Sequence, residues 1–258
     1  MTEKGIREEA KDFNLAVDVI MLAGTLLLQS GSETYRVEDT MIRIAHSQGI
    51  IDCNALAMPV AIFFSIENTN VSRMKRNLKT NYNIEKVCDV NQVSRQLVTG
   101  EISLQEAFDE LNCLKVKELP YNNKQLIAAA TLSAPFFSIM FDGNFYDALG
   151  AAIATFFGFA FSLYVDKYIR IPFVTAFAGA FVFGLLAHIW TRYSGFNSTD
   201  DLIIAGSVMP FVPGIALTNS VRDIMTNHIN SGMSKLFESL LITLALGAGT
   251  SVALLIMK

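Results

Sequence analysis

AGSVMPFVPGIALTNSVRD, residues 205–223, is an apolar run of membrane length interrupted by Pro210, Pro213 and Gly214 and closed by the polar set Asn219, Arg222 and Asp223. A proline inside a helix removes a backbone N–H and clashes with the preceding turn, so two prolines three residues apart break or kink it. In hydrocarbon such a break persists only where protein buries it or where it lines an aqueous cavity. Discontinuous helices of this kind form the ligand sites of secondary transporters. The stretch therefore points to a membrane transport site.

The flanking composition divides the chain. Residues 1–121 carry 13 Lys/Arg and 17 Asp/Glu, whereas residues 122–258 carry 7 and 7, with the boundary near Leu119-Pro120-Tyr121. The net charge of -4 does not indicate a nucleic-acid partner. The N-terminus is charged, and the apolar run at 19–28 is short and has no small-residue cleavage site, so residues 1–121 are expected to stay in the cytoplasm.

Five segments of the second part, 125–141, 148–165, 172–191, 202–217 and 236–257, approach the roughly 20 apolar residues that a bilayer-spanning helix needs. Lys115, Lys117, Lys124, Lys167, Arg170, Arg222 and Lys235 fall on one side of these spans, against Arg192 and Lys258 on the other. The positive-inside rule then places the N-terminus in the cytoplasm and the C-terminus outside. The expected fold is a polytopic α-helical membrane protein of the cell membrane. It has five transmembrane helices, one broken, at 122–258, behind an N-terminal α+β cytoplasmic domain at 1–121.

Small residues recur every fourth position: Gly150, Ala154, Gly158 and Ser162; Ala176, Ala180 and Gly184; Ala245, Gly249 and Ala253. Such stripes let helices approach closely. His188 continues the second stripe, as a candidate proton relay or as an interfacial histidine satisfied by water. Glu238 and Asp166 read as interfacial.

In the first part, residues 13–29 have helical character closed by Gly31, and Ser32 is expected to cap the next helix, which stops at Gly49. That helix has an apolar face of Val37, Met41, Ile44 and Ala45, and Asp39 and Arg43 are spaced for an i,i+4 pair. Residues 54–66 alternate large and small side chains as a strand does, with Pro59 confining it to an edge or irregular position. Glu67-Asn68-Thr69-Asn70 is expected to turn the chain into a second strand at VSRMKRN. A helix at 84–99 closed by Gly100 and another opened by the capping box Ser103-Leu104-Gln105-Glu106 complete the domain.

Enzyme chemistry is not expected. Cys53, Cys88 and Cys113 lack paired spacing, and no phosphate loop or nucleophile elbow is present, so no metal or cofactor is predicted. The basic cluster Arg73, Lys75, Arg76 and Lys79 reads as a solvated face or a contact for anionic headgroups.

GSETYRVEDTMIRIAHSQGI, MPVAIFFSIEN, VTGEISLQEAFDEL and above all VMPFVPGIALTNSVRDI resemble the threonine/serine exporter family over nearly the whole chain. Fused members resemble two halves joined, whereas this chain ends after one five-span half. It is therefore similar to the larger component of the split form, whose relatives pair with a small multi-span membrane subunit and include a succinate exporter. The resemblance implies a subunit of a secondary transporter for threonine/serine or C4 dicarboxylates. The candidate substrate-binding residues are Pro210, Pro213, Gly214, Asn219, Arg222 and Asp223. A half-helix N-terminus or Arg222 would bind a substrate carboxylate, or Arg222 would pair with Asp223 or with headgroups. Glu33, Arg36, Glu38 and Asp39 are candidates for gating or for domain docking. A channel-like pore and a membrane-anchored sensor are the competing classes.

Overall fold

The structure is a computed structural model that describes residues 3–67, 69–77, 80–117 and 121–257. Asn68 of the expected turn, Lys79 of the basic cluster, Leu119 and Pro120 of the expected boundary and Lys258 lie outside these residues. The chain divides into two compact units, Met1–Leu119 with Ala216–Leu236, and Pro120–Ile215 with Phe237–Lys258.

The first unit contains α1 (Glu3–Gln29), α2 (Thr34–Ser47), β1 (Cys53–Met58), β2 (Ala61–Ile66), β3 (Ser72–Arg76), α3 (Ile84–Thr99) and α4 (Leu104–Val116). Gly31 takes a left-handed φ of 81° that lets the chain reverse between α1 and α2. The expected Ser32 cap is not made: Glu33 is the N-cap residue, without a side-chain cap, and Ser32 Oγ is buried without a partner. A distant carboxylate takes that role, as described below. The Val37, Met41, Ile44 and Ala45 face is fully buried, and Arg43 pairs with Asp39 at 2.8 Å on the surface.

Residues 54–66 form two strands rather than one. Pro59 and Val60 turn the chain between β1 and β2, pairing Met58 with Ala61 and Leu56 with Phe63. A two-residue turn shifts the side-chain parity: Ile62 and Phe64 join Ala57 and Ala55 on the core face, while Leu56 is left on the other. β3 adds antiparallel to β2, giving the order β1-β2-β3. The core gathers Val17, Ile20 and Leu27 of α1, Met41 and Ile44 of α2, Ile62 and Phe64 of β2, Val90 of α3 and Leu111 of α4.

Beyond these come α5 (Asn123–Met140), α6 (Phe145–Ile169), α7 (Pro172–Tyr193), α8 (Asp200–Val208), a 3₁₀ turn (Met209–Phe211), α9 (Gly214–Met225) and α10 (Ile229–Met257). The small-residue positions lie at close approaches within the second unit. A Cβ on Gly158 would lie 3.0 Å from Gly179 O, and one on Gly249 2.5 Å from Phe177 O, so α7 meets both α6 and α10 backbone to backbone.

Among the described residues, four helices are long and apolar enough to cross a membrane: Asp12–Gln29 of α1, and α6, α7 and α10. There are five if the bent pair Asp200–Phe211 and Gly214–Met225 is one span. α5, expected as the first span, is not among them, because its first turn, Asn123-Lys124-Gln125, is polar and it stops at Met140. Asp12–Gln29 meets the criterion because it runs through the core of the first unit, where α2, α3, α4 and the sheet call for apolar side chains around most of its circumference.

Candidate functional site

The break expected at 210–214 falls at one point. Pro210 sits at the start of the 3₁₀ turn, just past the end of α8 at Val208, and winding continues to Phe211. Val212 is extended (ψ 127°), Pro213 follows, and α9 begins at Gly214, whose N–H donates to Val212 O at 2.8 Å. The leading N–H of this half-helix is therefore engaged locally.

The rest of α9 contributes to a polar cluster within the first unit. Ala216, Ser220 and Asp223 are buried along one face. Asn219 donates its amide to Gly31 O at 2.9 Å, fastening α9 to the α1–α2 turn. Asp223, fully buried, accepts from Thr34 N and Thr34 Oγ1, both at 2.9 Å, and from Lys235 Nζ of α10 at 2.7 Å. A buried carboxylate is tolerable only with such a set of partners, and Asp223 has a cation, a hydroxyl and the first N–H of α2. Asn227 closes α9 in the left-handed conformation (φ 65°), and His228 N donates back to Asp223 O at 2.8 Å.

Around this centre, Glu33 Oε1 pairs with Arg222 Nη1 and Glu33 Oε2 with Arg36 Nε at 3.3 Å. Arg222 thus pairs with neither Asp223 nor solvent alone. Glu38 accepts from Ala57 N at 2.8 Å and meets His228 Nε2 at 2.8 Å, which joins α2 to β1 and to the start of α10. The Tyr35 hydroxyl, and then Glu33, hold the Arg36 guanidinium above its ordinary value. The cluster is three carboxylates facing Arg36, Arg222, Lys235 and His228. Glu33, whose side chain is 11% exposed, meets two open guanidinium groups, Arg222 at 53% and Arg36 at 50%. Chemically it can hold a carboxylate or exchange one for another.

Of the residues singled out from sequence, Asn219, Arg222, Asp223, Glu33, Arg36 and Glu38 come together here. Asp39 pairs with Arg43 on the surface, and Pro210, Pro213 and Gly214 shape the entry to α9 rather than join the cluster. Thr34, His228 and Lys235 were not anticipated; the signal for His228 and Lys235 was their place within a dozen residues of Asp223. In the second unit, His188 Nδ1 meets Asp200 Oδ2 at 2.8 Å, and Thr191 Oγ1 donates to Asp200 Oδ1, so His188 has a carboxylate partner that sequence spacing did not indicate. Among the described residues no three His, Cys, Asp or Glu side chains come together as a metal site.

The family model for threonine/serine exporters matches residues 18–257. The chain belongs to the threonine/serine exporter family. The probable succinate transporter subunit YjjP of Klebsiella aerogenes is 26% identical to it over 239 residues, 88% of each chain. YjjP of Escherichia coli strain K12, likewise named a probable succinate transporter subunit, is 26% identical over 244 residues, 90% of this chain and 91% of the relative. The probable threonine/serine exporter of Mycobacterium tuberculosis is 19% identical over 244 residues, 92% of this chain but 45% of the relative. No solved structure matches. With its several membrane-length helices, this member of the exporter family is a multi-pass membrane protein.

Proposed function

We propose that this chain is the larger subunit of a secondary transporter that exports small carboxylate-bearing metabolites, threonine/serine or C4 dicarboxylates such as succinate, together with a small multi-span membrane subunit. The observation that carries this reading is the match, nearly end to end, to the YjjP relatives, which are named as probable succinate transporter subunits. A subunit of a two-part transporter needs the face that its partner supplies.

In the topology we propose, α5, α6, α7, the broken pair with α9, and α10 are the five spans. The N-terminus is cytoplasmic and the C-terminus extracytoplasmic, and α1 is a core helix of a cytoplasmic domain. Supporting this, α10 buries only 17% of its most apolar stretch, against 50% for Asp12–Gln29, as lipid-facing and core helices should differ. The substrate carboxylate is taken by the guanidinium of Arg222 in exchange for Glu33, a two-pronged charge-assisted contact for which Arg is suited and Lys is not. The Asp223–Thr34–Lys235 set holds α9 in place, and the Glu33, Arg36 and Glu38 contacts act as the gate.

The test is efflux from vesicles containing the chain with its partner, loaded with threonine, serine or succinate, with and without a pH gradient. Saturable efflux of one of them is expected, lowered about tenfold or more in Arg222→Ala and Arg222→Lys. Unchanged efflux in both variants would remove Arg222 from the site, and equal efflux without the partner would remove the two-subunit reading.

A further inference from the structure

A cleft lies between α1, β3 and α4 in the first unit. It encloses about 430 Å³, within the roughly 300–1,000 Å³ of small-molecule sites. Helix α1 lines it with one face, Asp18, Met21, Leu22, Thr25, Leu26 and Gln29, at the spacing i, i+3, i+4, i+7, i+8, i+11. Strand β3 adds two cations. Arg73 and Lys75 stand in register with Phe64 and Ile62, whose side chains are buried on the helix side of the sheet, so both cations take the helix-facing side of an edge strand. Helix α4 adds Phe108 and, seven residues on, Lys115.

Three cations therefore surround an apolar floor with one carboxylate, Asp18. None of these four forms a salt bridge among the described residues. The contrast with Lys117, two residues beyond Lys115, is direct: it pairs with both Glu85 and Asp89 at 2.9 Å. The Asn112 amide is engaged by Phe108 O at 2.9 Å, which leaves recognition of a polar head to the cations.

We propose that this cleft binds a phosphate ester with an apolar body. The head lies between Arg73, Lys75 and Lys115, and the body lies on Met21, Leu22 and Phe108. A neutral apolar ligand makes no use of the three cations, and a bare anion leaves the floor uncovered. The same chemistry is offered by a soluble phosphomonoester and by the headgroup end of an anionic phospholipid. The site stands independently of the transport reading.

The experiment uses the full chain in phosphatidylcholine nanodiscs, titrated with hexyl phosphate, inorganic phosphate and hexanol, and followed by calorimetry and by amide exchange. Hexyl phosphate is expected to bind saturably and to protect residues 72–76 and 108–115. Inorganic phosphate should bind about tenfold or more weaker and hexanol without saturation, as burial of the hexyl chain and pairing of the charge with the cations each contribute. Arg73→Ala and Lys115→Ala, both at exposed positions, should each weaken hexyl phosphate about fivefold or more while leaving the exchange of the unit's core unchanged. The proposal is overturned if wild-type protein shows no saturable binding, if either comparator binds as well, if protection appears elsewhere, or if both variants bind unchanged. Repeating the titration in nanodiscs containing phosphatidylglycerol assigns the source: lost binding identifies a lipid headgroup, retained binding a soluble ester.

Discussion

Asp223 accepts both the backbone N–H and the hydroxyl of Thr34, 189 positions earlier in the chain, each at 2.9 Å. A carboxylate at a helix N-terminus satisfies an orphan donor and opposes the positive end of the macrodipole, so Asp223 caps α2 where no local side chain does. Lys235 at 2.7 Å balances its charge.

Removing one member of a buried pair leaves the other uncompensated, at about 3–5 kcal/mol. Lys235→Met and Asp223→Asn are each expected to lower the unfolding midpoint of the full chain strongly. The double variant should be milder than the sum by about 1 kcal/mol or more. Chemical denaturation in detergent measures the cycle, and additive losses would separate the two residues.

Gly249 and Gly247 lie two residues apart on α10 but differ in surroundings. A Cβ on Gly249 would stand 2.5 Å from Phe177 O, whereas nothing lies within 4 Å of one on Gly247. Gly249→Val should cost about 1–3 kcal/mol by overpacking. Gly247→Val should be close to neutral, the two variants being compared with the wild type by thermal unfolding in detergent. Equal effects would dismiss the close helix approach.

The Ser103 backbone N–H, and then its hydroxyl, hold the Glu106 carboxyl below its ordinary value of 4.5. A carboxyl depressed on folding contributes stability that is present above the unfolded value and lost as pH falls through the folded one. Amide exchange at 104–107 should therefore rise as pH drops below about 4.5 in the wild type. In Glu106→Gln that acid dependence should vanish; an unchanged profile would assign it to another group.

Burial, and then Asp52, push the Cys53 thiol up, while Cys88 and Cys113 are exposed. Maleimide at neutral pH should modify Cys88 and Cys113 well before Cys53. In right-side-out vesicles a membrane-impermeant maleimide should reach Cys88 and Cys113 only after permeabilisation. Labelling of both in sealed vesicles would place the N-terminal domain outside.

Local rules account for much of the first unit. The helix at Ile84–Thr99 closed by Gly100, the Ser103/Glu106 capping box and the stop at Gly49 all follow from short-range steric or hydrogen-bonding preferences. Where two conformations share one pattern, local rules fail. The alternation over 54–66 is that of a strand, and the turn at Pro59-Val60 that reverses its parity leaves the same alternation in place. Hydropathy likewise cannot tell a helix encircled by protein from one encircled by lipid: Asp12–Gln29, in the core of the first unit, is as long and apolar as a membrane span.

The sequence by itself determined the family, the membrane-length helices α6, α7 and α10, the small-residue approaches and the place of the break, because each is a property of residues close in the chain or of long ordered motifs. Tertiary structure alone decided the partners. Glu33 with Arg222, Glu38 with His228 and Asp223 with Thr34 join positions about 190 apart, and no local spacing encodes which carboxylate meets which cation. Burial makes those choices strict, since a charge removed from water must find its counterpart in the fold.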